Sequence, residues 1–221
     1  MLIEPASSVT DAVLALAALF AASSLSGEGK TYTRWRWAFV FIGAAALLGA
    51  VHHGFLEETP SVARHTWAAI TILVAISISF VLSATISTVL GEGRGKILLA
   101  VRTVSLAVFI VLAVMGHATM STLMISEGGT MLIILGLWAT ALWKRTPVVT
   151  FIIASIVISG AGGVVRSLPV GVDIGGWHFG GAAWFHIMQT LGIVLLFFGV
   201  ERWGYRRVEA RKIRRGGTWV T

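Results

Sequence analysis

The chain has 221 residues, 56% hydrophobic and 12% charged, with a formal net charge of +7 and no cysteine. A soluble domain carries about twice that share of charge. Without cysteine there is no disulfide framework and no thiolate, so a bound metal has only His, Asp, Glu and water to draw on. Apolar runs of about 20 residues, the length of a bilayer crossing, recur along the whole chain and leave no room for a soluble domain. The strand alternation of outer-membrane barrels is absent. The expected fold is all-α: a polytopic seven-transmembrane-helix bundle, one membrane domain over residues 1–221.

Helices are predicted at 8–25, 35–56, 66–90, 97–119, 129–143, 147–166 and 180–202. The first is preceded by Glu4 and Pro5, with Ser7, Ser8 and Thr10 as candidate caps and Asp11 about a turn inside. It lacks a basic leading region and reads as a retained helix rather than a signal peptide. The second opens with Trp35 and Trp37, expected at a membrane interface. It then carries Gly43, Ala46, Gly49 and Ala50, a small-residue face that lets a neighbour approach closely, and closes on His52 and His53. A turn at Glu57–Ser61 leads to His65 and a third helix rich in Ser and Thr, whose hydroxyls are expected on backbone carbonyls. A Gly-rich turn at 91–95 leads to the fourth, which contains Arg102 and closes on His117.

The sixth helix ends in Ser159-Gly160-Ala161-Gly162-Gly163-Val164-Val165-Arg166. This end is expected either to pack tightly or to line a cavity, with Arg166 on the stripe of Ser155, Ser159 and Gly162. The segment from Ser167 to Gly180 holds Asp173, Trp177 and His178 among glycines, and reads as a lid or a plain connector. The seventh helix carries His186, Gln189 and Thr190 and runs into a basic tail.

Orientation follows from the basic residues. Lys30, Arg34, Arg36, Arg94, Lys96, Arg102, Lys144, Arg145 and seven residues of the tail fall on one side, and only Arg64 and Arg166 on the other. The N-terminus is therefore expected outside and the C-terminus in the cytoplasm, the topology of a bacterial inner-membrane protein. The positive charge then belongs to the cytoplasmic rim beside anionic lipid and calls for no nucleic acid. All four lysines lie at that rim, which excludes a retinal Schiff base. No charge is expected at mid-depth, which argues against a voltage sensor or proton pump.

All six histidines are expected at the opposite, non-cytoplasmic end, together with Glu4 and Asp11. Buried polar groups in hydrocarbon must be paired or ligated. His53, at the exit of helix two, and His186, about two turns inside helix seven, reach similar depths and should converge with Asp11. The expected metal ligands are His53, His186 and His117. The expected catalytic carboxylates are Asp11 and Glu4, with Gln189 or Thr190 holding an imidazole in place. His52 should diverge from His53 by the 100° of adjacent helical residues and reads as packing; His65 and His178 read as peripheral. Arg166 reads as a snorkelling anchor or as a clamp for an anionic group, with Asp173, Glu4 or Glu127 as its resting partner, and Gln189 as a second substrate contact.

Three segments carry a family resemblance: Glu4-Pro5-Ala6-Ser7-Ser8-Val9-Thr10-Asp11, Gly49-Ala50-Val51-His52-His53-Gly54-Phe55 and Trp184-Phe185-His186-Ile187-Met188-Gln189. They resemble a poorly characterised seven-helix membrane family near the CREST superfamily, which includes alkaline ceramidases and adiponectin/progestin receptors. The resemblance implies a buried zinc site and hydrolysis of a lipid amide or ester. It implies ligands at a helix-two His, a Ser four residues before it, two His spaced by four in helix seven, and an Asp. His53 and His186 match. Gly49 stands in place of the Ser, and Ala182 and Thr190 flank His186 in place of a second His. Either His117, His52 or Asp11 completes a different site, or hydrolysis is lost. Two other readings stay open: a haem held between His53 and His186, and a non-catalytic subunit bound to partner proteins of a larger membrane assembly.

Overall fold

Three of the helices open on a proline, at residues 5, 60 and 147, where the fixed φ suits a first turn and the missing N–H has no helical partner to lose. The computed structural model describes residues 2–142 and 147–216. Lys144, Arg145, the two chain ends and the side chains of the basic tail from Arg206 to Arg215 lie outside the described residues. Seven helices follow in order: α1 (Pro5–Ser24), α2 (Lys30–Val51), α3 (Pro60–Val89), α4 (Lys96–Leu112), α5 (Met120–Leu142), α6 (Pro147–Arg166) and α7 (Gly181–Gly216). α2 and α4 each continue through one π-helical turn, His52–Leu56 and Ala113–His117. Each of the seven is long and apolar enough to cross a membrane.

Several boundaries depart from the sequence reading: α2 begins at Lys30 rather than 35, α3 at Pro60 rather than 66, and α7 runs to Gly216 rather than ending at 202. α5 begins at Met120 rather than near 129, because Glu127, Gly128 and Gly129 are helical instead of forming a loop. A glycine costs a helix only about 1 kcal/mol, which a long apolar segment absorbs. The segment after α6 has secondary structure of its own. It folds into an antiparallel hairpin, β1 (Gly171–Ile174) and β2 (Trp177–Gly180), with Asp173 opposite His178. Gly175 and Gly176 both have positive φ, 59° and 81°, as a tight hairpin turn requires.

α1 packs between α2 and α7, α2 on α3, α6 on α7, and α5 on both α3 and α6. Small residues set these distances. A Cβ at Gly43 would lie 2.7 Å from Leu19 on α1, and one at Gly192 would lie 2.4 Å from Ser159 Oγ. The Ser- and Gly-rich end of α6 therefore packs tightly against α7. The core runs through Leu14, Ala18, Trp35, Phe39, Ile134 and Trp138. Trp35 is fully buried within the bundle, and its Nε1 donates to Thr88 Oγ1 at 3.4 Å. Trp37 is exposed. Several α3 hydroxyls bond backbone carbonyls, as with Thr71 to Ala68 and Ser79 to Ala75, whereas the buried Ser77 hydroxyl has no such partner among the described residues.

The expectation that no charge falls at mid-depth is overturned. Arg102 does not belong to the basic rim but is buried against the midpoint of α3. Its Nε donates to Ser79 Oγ at 2.7 Å, Nη1 to Thr130 Oγ1 at 3.1 Å and Nη2 to the Ala75 carbonyl at 2.6 Å. Nη2 also lies 2.9 Å from Glu127 Oε2, forming a buried ion pair between α4 and α5. Glu127 is therefore not a partner of Arg166. The early start of α5 carries Glu127 inward, and the long arginine stem reaches it from α4.

Candidate metal centre

The first residues of the chain are tied to the end of α2. The N–H groups of Ile3 and Glu4 donate to the Gly54 and His53 carbonyls, each at 3.0 Å. These carbonyls belong to the π-helical turn, whose widened geometry releases backbone groups from the ordinary helical ladder. Ser8 Oγ donates to the Ala50 carbonyl at 2.8 Å, so Ser8 joins α1 to α2 instead of capping α1. Ser7 and Thr10 do not cap α1 either, since no side chain bonds across its first turn from the cap position.

Asp11 turns into a notch on α2 at Gly49. A Cβ there would lie 2.3 Å from Asp11 Oδ2, so the glycine makes room for a carboxylate. We expect Gly49→Val to overpack the notch and cost about 1–3 kcal/mol, read by denaturation in detergent; unchanged stability would show that the notch is not needed.

Asp11, His53 and His186 are all buried, and one donor atom from each lies within 4.8 Å of the others. His186 Nε2 is 3.5 Å from Asp11 Oδ2. On the other side of the ring, Nδ1 is 3.2 Å from Thr10 Oγ1. The Thr10 hydroxyl spends its single proton on the Ala6 carbonyl at 2.7 Å, so toward the ring it can only accept. Nδ1 therefore carries the hydrogen, and Nε2 presents a lone pair to the carboxylate. His53 Nδ1 faces two carboxylates, Glu57 Oε2 at 3.0 Å and Glu4 Oε2 at 3.5 Å. A carboxylate accepts, so Nδ1–H points to the rim and Nε2 is left for the centre. Two imidazole lone pairs and one carboxylate then converge without a donor between them, which is the donor set of a divalent ion. Three protein ligands of this kind, the two imidazoles each oriented by an outer hydrogen bond, match zinc sites that keep a position open for substrate.

His52 stands beside His53 but outside the inner group. The π-helical turn reduces the angle between neighbours, and the rings of His52 and His53 meet at 5.2 Å. His52 Nδ1 is held at 2.7 Å by Thr66 Oγ1, and His52, His53 and Glu57 form a second group of close donors at the rim.

Several expected residues do not join. His117 is exposed at the end of the second π-helical turn, where Gly116 at φ 89° turns the chain, and it belongs to neither donor group. His65 is exposed and bonds the Ser61 carbonyl of its own helix at 2.6 Å. His178 pairs with Asp173 across the hairpin at 2.8 Å, so Asp173 is not the partner of Arg166. Gln189 does not hold an imidazole: its Nε2 donates to the Ser159 carbonyl at 3.1 Å. Thr190 bonds the His186 carbonyl of its own helix at 2.8 Å, leaving the orienting role to Thr10. Glu4 stands at the rim on His53 rather than in the centre. Glu57 was legible as the residue four after His53, but reads from sequence as part of a turn. Arg166 stands beside the centre, its guanidinium 5.3 Å from the ring centroid of Trp67 and 5.5 Å from that of Phe185.

The model of a family of unknown function, DUF6962, matches residues 6–205. The chain belongs to this family. No curated protein and no solved structure matches it.

Proposed function

We propose that this chain is an integral membrane protein that holds one divalent ion, zinc by its donor set, on Asp11, His53 and His186, and hydrolyses an amide or ester bond of a lipid there. The observation that carries this reading is the convergence within 4.8 Å of three buried donors, with hydrogen bonds that turn both imidazole lone pairs inward. The seven apolar helices support placement in a bilayer. Lys30, Arg34, Arg36, Arg94 and Lys96 lie around the bundle end opposite the cluster, which favours a cytoplasmic C-terminus and a centre near the non-cytoplasmic face, as in a bacterial inner membrane.

When bound, such an ion supplies Lewis acidity for the attack of water on a carbonyl. The chain's own residues supply the rest. Thr10 and Glu57 fix the two imidazoles. Asp11 takes the part of a ligand rather than of a base. Glu4, exposed and only 3.5 Å from His53, is the carboxylate placed to accept a proton from water at the rim. A haem between His53 and His186 needs a slot as wide as its ring, and the Asp11 carboxylate stands within 4.8 Å of both nitrogens.

The test is metal analysis of detergent-purified protein, with melting followed before and after a chelator. Stoichiometric zinc, a lower melting temperature after chelation and no visible absorbance are expected. An intense absorption band near the haem region would move the assignment to haem. Neither metal nor pigment, even after purification with added zinc, would overturn the metal reading and leave a non-catalytic subunit.

A further inference from the structure

Arg166 is the last residue of α6, and its side chain turns toward α3 and α7 rather than away from the bundle. Trp67 on α3 and Phe185 on α7 both lie within cation–π distance of the guanidinium. The first also touches the metal centre's surroundings, since the Trp67 ring is 6.0 Å from that of His52. The second is the immediate neighbour of the ligand His186, with ring centroids 5.4 Å apart. The aromatic pair therefore fixes the arginine beside the cluster.

Aromatic faces take up charge but not hydrogen bonds. Among the described residues, the guanidinium makes no hydrogen bond and no ion pair, although Asp11, Glu4 and Glu57 are all near enough to act on its charge. Arg102 shows what this chain does with an arginine that is purely structural: it commits Nε, Nη1 and Nη2 to named acceptors. Arg166 keeps its donors uncommitted. A snorkelling anchor would extend into the interfacial water, whereas this side chain is folded back between two rings of the bundle. A planar fork held at a fixed place, with its hydrogen-bonding edge unused, suits a planar or tetrahedral oxyanion.

We propose that Arg166 binds an anionic oxygen group, phosphate or carboxylate, of the molecule presented to the metal centre. This deepens the proposed function by naming its substrate class, an acidic lipid amide or ester, and it rests on that reading for the reaction but not for the binding. The anionic group would sit against the fork of Arg166, and the scissile carbonyl would lie toward Asp11, His53 and His186. The negative rim made by Glu4 and Glu57 would oppose an anion approaching without such a counter-charge, so the arginine also decides what may enter.

The test is calorimetric binding of two probes to detergent-purified protein in the presence of EDTA, so that no metal contributes. The probes are inorganic phosphate and a short-chain phosphatidic acid below its micellar concentration. The wild type is expected to bind the acidic lipid, and Arg166→Lys to bind it at least about tenfold more weakly, because lysine keeps the charge and the stem but loses the fork. Binding of phosphate with the same dependence would identify a free oxyanion as the ligand; binding of the lipid alone would identify a headgroup. Trp67→Leu should weaken the same binding by releasing the guanidinium, and it keeps the test open if the lysine variant folds poorly. Equal affinity in wild type and Arg166→Lys, or no binding of either probe to the wild type, overturns the proposal. Metal content, measured on the same preparations before EDTA is added, separates the two readings: Arg166-dependent binding by a protein that purified without zinc and takes up none would fail the hydrolase and keep this site, and zinc without anion binding would do the reverse.

Discussion

Replacing Arg102 with methionine is expected to destabilise the protein by about 3–5 kcal/mol, the range for stripping one partner from a buried ion pair. The cost is not the loss of attraction alone. Glu127 would be left buried with Ser126 Oγ, 3.1 Å from Oε1, as its remaining hydrogen-bond donor among the described residues. Ser79, Thr130 and the Ala75 carbonyl would each lose a donor. The double variant Arg102→Met with Glu127→Leu should recover most of the loss, since well-packed apolar residues often replace a buried pair at little cost. The effect should also be local. α4 meets the rest of the bundle mainly at α3, through Phe109 and Ala113 on Ala75, beside this ion pair. Limited proteolysis or hydrogen exchange of the single variant should therefore show α4 and α5 opening before α1, α2 and α7. A single variant as stable as the wild type would show that the pair does not hold these helices.

The seven helices were legible because length and apolar composition act along the chain and need no partner. The start of α5 was not, because Glu127-Gly128-Gly129 has the composition of a turn, and only Arg102, 25 residues earlier, makes that glutamate tolerable inside. The meeting of Asp11, His53 and His186 was legible from depth alone: an early position in α1 or α7 and a late one in the oppositely directed α2 lie at similar distances from one bundle end. Their hydrogen-bond partners were not. Thr10 looks like a cap until α7 stands against α1, and its hydroxyl then proves to face His186. Gly49 looks like a missing ligand until Asp11 is seen to occupy its space. The packing of His52 on Trp67 and Thr66 agrees with its reading, but its place beside Glu57 at the rim was not legible, because a π-helical turn leaves no signature in composition. His117 failed for a related reason: depth put it at the right end of the bundle, but α4 stands at the periphery, away from α1, α2 and α7.

His186→Ala should abolish stoichiometric metal binding. His186 supplies one of only three protein donors in the inner group, and the helical residues flanking it at four positions, Ala182 and Thr190, offer no imidazole in its place. The remaining pair, Asp11 and His53, would hold an ion no better than many exposed His–carboxylate pairs do. Thr10→Val removes only the acceptor that fixes the tautomer of His186, and should weaken the metal by about 10–100-fold, as outer hydrogen-bond partners generally do. The order matters more than either value: His186→Ala should exceed Thr10→Val, and His117→Ala should change nothing. Competition against a chromophoric chelator measures all three in detergent, and melting without metal checks that each variant folds. Should His117→Ala lose the ion while His186→Ala keeps it, the centre lies elsewhere. Should Thr10→Val bind as tightly as the wild type, the imidazole is oriented by the packing of Phe185 and His53 against it, and the threonine only joins α1 to α7.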